Sequence, residues 1–256
     1  MDIPASLVMQ LRDQTGVSMM ACKKALIEAN GDLEAAVDIL RKSGEAKAAS
    51  KADRVANEGG VFIVSAGSKI AVAVLKCETD FVARSDDFSS VGKKIAQIAL
   101  DKGAEAARTE ATTLLQEAVL KVGENLGLGS VETLEGATWG YYVHSNAKVA
   151  GIVSLEGGTE EQAKDVAMHG VATNPKYVSP TEVSQDDIAH EREIAKAQLV
   201  AENKPEAMHD KILEGKMKKF AEENALLTQP FVKDPGMTVE KYLGGAKVTT
   251  FMRIAV

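Results

Sequence analysis

The sequence predicts an α+β protein: an N-terminal three-helix module, then a core of two related halves, each a small antiparallel sheet followed by helix, with an antiparallel helical hairpin inserted in the second. Three observations predict it. Short helical periodicities bounded by capping residues fill residues 1–44. Two blocks rich in β-branched residues, over 61–77 and 131–156, each lead into a capped amphipathic helix. A charged stretch over 186–223 carries two narrow apolar seams.

In the first module, Ser6 precedes Leu7, Val8 and Leu11, and the pattern stops at Thr15-Gly16. Ser18 caps a second helix with Cys22, Ala25, Leu26 and Ala29 on one face, ended by Asn30-Gly31. Asp32 starts a third, with Leu33, Ala36, Val37 and Leu40 inside and Ser43-Gly44 closing it. Helices this short must pack on one another to persist. The arrangement, with its Thr15-Gly16 turn and Asn30-Gly31-Asp32 joint, resembles the ubiquitin-associated-domain family.

Residues 45–58 are Ala-rich and charged and read as a linker, partly helical. The first half of the core, residues 59–129, opens with a hairpin: Val61 to Ala66 and Lys69 to Cys77, joined at Gly67-Ser68. The apolar pattern then collapses into Glu78, Thr79 and Asp80, and Ser85-Asp86-Asp87 caps a helix with Phe88, Val91, Ile95 and Ile98 on one face. Phe81 is thereby placed in a short strand-to-helix loop mounted on two rigid elements. Folding back into the core is the ordinary fate of such a residue; presentation to a partner is the alternative. A further helix is expected from about Glu110, carrying Leu114, Leu115, Ala118 and Val122.

The second half, 130–256, is expected to begin with strands Val131 to Leu134, Thr138 to His144 and Val149 to Glu156. Thr159 then starts a helix, and Gln162 completes a capping-box spacing. Helices Asp186 to Glu202 and Pro205 to Glu223, joined at Asn203-Lys204, form the hairpin, with Ala195, Leu199, Leu213, Met217 and Phe220 on the seams. Val239, Tyr242 and Leu243 mark a short helix, and Lys247 to Ile254 a final strand.

Composition bounds the function. Hydrophobic residues at 45% and charged residues at 26% are values of a globular protein, while aromatics at 4% require an aliphatic, Ala-rich core. A formal charge of -7 argues against nucleic-acid binding, which needs a concentrated Lys/Arg surface. The opening Met1-Asp2-Ile3-Pro4 has no signal-peptide character, and the longest apolar run, Ile70 to Leu75, is far below the roughly 18 residues of a membrane span. Cys22 and Cys77, with no close partner, fit a reduced cytosolic setting. No metal-ligand spacing, phosphate-cradling Gly loop or nucleophile elbow is present, so no cofactor is expected.

Seven segments together resemble the elongation factor Ts family: Leu11-Arg12 with Thr15-Gly16, Met19 to Leu26, Asn30-Gly31-Asp32, Thr79-Asp80-Phe81-Val82, Gly123-Glu124-Asn125, Ala167-Met168-His169 and Met217 to Phe220. The resemblance implies a guanine-nucleotide exchange factor for elongation factor Tu, with no covalent chemistry of its own. It places Asp80 and Phe81, framed by Thr79 and Val82, between helices of the partner's GTPase domain, where they disturb its Mg²⁺ and phosphate site. It also implies partner contacts at Arg12, Met19, Met20, Lys23, Lys51, Val122, Gly123 and His144. Helical spacing relative to Cys22 and Leu26 puts Met20 nearer the core than Met19. Where members carry a basic pair after the Gly-Glu-Asn segment this chain has Gly129-Ser130, so a charge contact there is not expected. Many members also continue into a terminal helix, whereas this sequence stops at Ala255-Val256, so any partner contact of such an extension is expected to be absent or truncated away.

Two other readings compete. A Cys77–His144 nucleophile pair would make the chain an enzyme, but it has no third orienting group. An adaptor using residues 1–44 as its binding module would leave the Phe81 loop without a task.

Overall fold

The computed structural model describes residues 3–202 and 204–256. Met1 and Asp2, which opened the expectation about a signal peptide, and Asn203, half of the expected hairpin joint, lie outside the described residues. The chain divides into two compact units. One runs up to Glu135 and takes in Ser145–Val149 and Ala255–Val256, and the other comprises Gly136–His144 and Ala150–Ile254.

The first unit opens with helices α1 (Ala5–Thr15), α2 (Met19–Glu28) and α3 (Leu33–Lys51). Gly16, at φ 68°, ends α1 by donating its N–H to the Arg12 carbonyl. The side chains of Ser18 and Asp32 accept the orphan N–H groups of Ala21 and Ala35 at the starts of α2 and α3. Val8, Leu11, Cys22, Ala25, Leu26, Ala36 and Leu40 enclose a core of their own. The expected stop at Ser43-Gly44 is not there: α3 continues through it, seven residues into the expected linker. The reason is tertiary. A Cβ at position 44 would stand 3.0 Å from the Gln116 carbonyl and from the Leu120 side chain, so Gly44 lets two helices approach closely instead of ending one.

A hairpin follows, β1 (Glu58–Ala66) and β2 (Lys69–Cys77), and then α4 (Asp80–Ala83), α5 (Asp86–Lys102), α6 (Ala104–Val122) and β3 (Leu126–Glu135). Gly44 of α3 faces α6, which begins six residues before the expected start at Glu110. β3 lies antiparallel on β2, giving the order β1-β2-β3. Residues 130–135 therefore belong to the first sheet and not to the strands that follow them. Val131 is fully buried among Ala73, Leu75, Phe88, Ile95 and Ala99, and that burial holds the strand there.

The second unit contains β4 (Thr138–Val143), β5 (Val149–Glu156), α7 (Glu160–Thr173), α8 (Gln185–Ala201), α9 (His209–Asn224), β6 (Pro230–Phe231), β7 (Asp234–Thr238), α10 (Val239–Leu243) and β8 (Lys247–Ala255). Its main sheet has the order β4-β5-β8. The two halves thus share a plan: a hairpin, then helices, then a strand that returns to the hairpin's second arm. Thr159 and Gln162 form the expected capping box. α7 lies so close on β4 that a Cβ at Gly140 would be 2.1 Å from the Lys164 backbone nitrogen. α8 and α9 pack through Ala195, Leu199, Leu213 and Met217, as the seams predict, while Phe220 is only half-buried and stands outside that cluster. His169 ties the unit internally: its Nδ1 accepts the Val232 N–H at 3.2 Å, so Nε2 carries the proton and donates to Gln229 Oε1 at 2.9 Å. Burial lowers its pKa below the usual 6.5.

Candidate functional site

The strand-to-helix connection expected around Phe81 is a single helical turn. β2 ends at Cys77, and Thr79 caps α4 by accepting the Val82 N–H at 3.4 Å. Val82 and Ala83 root the turn in the first core. Phe81 points the other way and is 84% exposed. A Phe side chain left in water forgoes about 2–3 kcal/mol of burial, and nothing within its own fold recovers it. Asp80 pairs with Arg84 at 3.1 Å on the same exposed surface, a bond too solvated to contribute more than about 1 kcal/mol.

What holds the turn comes from far along the chain. Glu124 accepts twice from Thr79, from its N–H at 3.0 Å and from its hydroxyl at 2.6 Å. The neighbouring Asn125 N–H donates to Glu78 Oε1 at 2.6 Å, and Arg54 pairs with the same oxygen at 3.5 Å. Asn125 Nδ2 donates to the Arg54 carbonyl at 2.9 Å, and Lys51 Nζ donates to the Gly123 carbonyl. Lys51, Gly123 and the Thr79 turn, expected as separate contacts, are therefore parts of one cluster. Glu78, Glu124 and Asn125 were not singled out as site residues. The Gly123-Glu124-Asn125 segment was the signal that could have found them, but their partners lie more than 40 residues away.

Four of the other candidates lie on the N-terminal helices. Arg12 is exposed in the last turn of α1, and Lys23 is exposed on α2. Met19 is 38% exposed and Met20 77%, which reverses the expectation that Met20 lies nearer the core. The cause is phase: Cys22, Ala25 and Leu26 define the buried stripe, and Met20 falls outside it. Met20 and Lys23 line a shallow groove with Ile27, Ile39 and Leu40. Val122 is half-buried against the first core, and Gly123 ends α6 at φ 78°. His144 is exposed just after β4, in the second unit.

The Cys77 thiol is unsuited to nucleophilic work. Burial first, then the Glu124 and Glu58 carboxylates, push its pKa up to about 11, and the thiol donates to the Thr79 carbonyl at 3.2 Å. Among the described residues no group of three His, Cys, Asp or Glu side chains could hold a metal ion, and no helix is long and apolar enough to cross a membrane.

An exposed aromatic on a short turn, braced by charge-assisted bonds and backed by a packed sheet, is the geometry of a scaffold that presents a side chain outward. Comparison with known proteins gives the class a family. Residues 78–256 match the family described as elongation factor TS. The whole chain aligns with 91% of elongation factor Ts of Aeromonas hydrophila at 43% identity, and with 92% of that of Pasteurella multocida at 44%. Elongation factor Ts of Idiomarina loihiensis is 43% identical over the whole chain. The chain belongs to the elongation factor Ts family, and its role lies in the elongation stage of protein biosynthesis.

Proposed function

We propose that this protein binds elongation factor Tu carrying GDP and promotes release of the nucleotide, so that GTP can load. The observation that carries the reading is the exposure of Phe81 on a turn that Glu124 braces at Thr79 and that Val82 and Ala83 root in the core. An aromatic with two rotatable side-chain bonds, held on a rigid mount, enters a partner's pocket with little loss of conformational entropy and acts as an interface anchor. Phe81 wedges between helices of the GTPase domain, and Asp80 carries a carboxylate to the same place. Thr79 and Val82 fix the direction from which the pair arrives. Magnesium tolerates only near-ideal octahedral geometry, so a small shift of its surroundings loosens both the ion and the phosphates it bridges.

Arg12, Met19, Met20 and Lys23 supply a second grip through the N-terminal helices, where exposed methionines offer adaptable apolar surface. Lys51, Val122, Gly123 and His144 complete the proposed contacts. The protein itself makes and breaks no covalent bond, and it works in the cytoplasm, where its two free, buried thiols stay reduced. The test is the release of labelled GDP from elongation factor Tu: faster release on adding this protein is expected. An unchanged rate, with binding intact, would make the protein an adaptor.

A further inference from the structure

Phe81 is 84% exposed, so packing of its own ring contributes little to fixing its direction. Its direction is set one residue earlier and from outside the turn. We infer that Glu124 is a positioning residue for nucleotide release: it aims Phe81 by fixing Thr79. The inference rests on the function proposed above.

The geometry is specific. Thr79 Oγ1 must accept the Val82 N–H to cap α4, which requires its hydroxyl proton to point away from the turn. Glu124 Oε1 takes that proton at 2.6 Å, while Oε2 takes the Thr79 N–H at 3.0 Å. Both carboxylate oxygens are thus engaged by one residue, and a bidentate, charge-assisted pair restricts rotation as well as distance. A helix of four residues has almost no stability of its own, so the turn depends on its cap and on Val82 and Ala83 packing beneath it. Packing fixes where the turn sits. The Thr79–Glu124 pair fixes how it is rotated, and hence where Phe81 points.

Glu124 is itself located by its neighbours. Gly123 ends α6 in the left-handed region with Lys51 on its carbonyl, and Asn125 donates to Glu78 on the other side of Thr79. The Gly-Glu-Asn segment therefore clamps residues 78 and 79 at two adjacent points. Glutamine at 124 could still accept the Thr79 N–H through its carbonyl and donate from its NH2 to Thr79 Oγ1, but it would lose the negative charge that strengthens both bonds. It should therefore hold the turn only partly.

The test measures stimulated GDP release from elongation factor Tu against concentration for the unaltered protein, Glu124→Ala, Glu124→Gln, Phe81→Ala and the double variant Glu124→Ala/Phe81→Ala, with melting curves for each. Glu124→Ala should lower the saturating rate about tenfold, and Glu124→Gln less. The half-saturating concentration should move less than about twofold, because the N-terminal grip is untouched. In the Phe81→Ala background the second substitution should add little, since a misaimed anchor that is already absent has nothing further to lose. A purely structural role gives the opposite split: partial unfolding removes active molecules, raising the half-saturating concentration while leaving the saturating rate intact. That split, or fully additive losses in the double variant, overturns the inference. If Phe81→Ala alone leaves release unchanged, the proposed function fails first; if Phe81→Ala slows release and Glu124→Ala does not, only the positioning role fails.

Discussion

Replacing Phe81 with Ala separates presentation from packing. Because the side chain is 84% exposed, its removal opens no cavity, and the folded state should change by no more than about 0.5 kcal/mol. Alanine is also the better helix former in the turn by a few tenths of a kcal/mol. In the complex the balance reverses. Burying a Phe in a partner's pocket is worth about 2–3 kcal/mol, and the retained Cβ keeps only a small part of it. A loss of about 2 kcal/mol corresponds to roughly 30-fold at 1.36 kcal/mol per decade, so stimulated GDP release should slow at least tenfold. The assay is stopped-flow release of fluorescent GDP from elongation factor Tu, with thermal melting of the free protein alongside. An unaltered melting curve with slowed release is expected. Early melting with full activity would mean that Phe81 serves the protein's own core, and the reasoning from its exposure would be refuted.

Two further outcomes follow from other parts of the fold. Deleting residues 1–44 should leave a folded body that still accelerates release but needs a higher concentration to do so; the buried core of Val8, Leu11, Cys22, Ala25, Leu26, Ala36 and Leu40 goes with them, while the part of α3 beyond the cut keeps its packing on the first core through Ala48. Circular dichroism and a titration against Tu check this, and a body that does not fold would refute the proposal that these residues form a module. His169 has a folded-state pKa below its unfolded value, so the unfolded chain takes up the proton first as pH falls. Stability contributed by the neutral ring is complete above about pH 6.5 and is lost as pH falls through the lowered folded pKa. Urea unfolding at pH 7.5 and 5.5 should show this decline, and a His169→Gln variant should flatten it.

Most elements were legible because their signals are local. Ser18, Asp32, Ser85 and Thr159 each cap the helix that their side-chain chemistry predicts. The exceptions are positions where a distant partner decides. Ser43-Gly44 carries a helix-stop signature, yet α6 makes the glycine a contact position and the helix runs on. Val131 to Leu134 read naturally with the strands that follow, but the chain returns past three helices to pair with β2. Met20 lies outside the buried stripe of Cys22, Ala25 and Leu26, a matter of one step of helical phase. At the candidate site, the exposed Phe81 was readable as an aromatic where an apolar strand gives out. The bracing by Glu124 was not, because no local pattern links residue 79 to residue 124. Only the Gly-Glu-Asn segment marked the place.

The central claim, that Asp80 and Phe81 act by disturbing the partner's Mg²⁺ and phosphate site, is tested most directly by linkage. Calorimetric titration of this protein into elongation factor Tu, with and without GDP and at high and near-zero Mg²⁺, gives four affinities. Reciprocity requires that the factor by which the protein weakens GDP binding equal the factor by which GDP weakens binding of the protein. Tighter binding to nucleotide-free Tu is expected, with a factor that shrinks when Mg²⁺ is removed, since part of the loop's work is then already done. Equal affinities in all four conditions would contradict the account and leave a protein that holds Tu without exchanging its nucleotide.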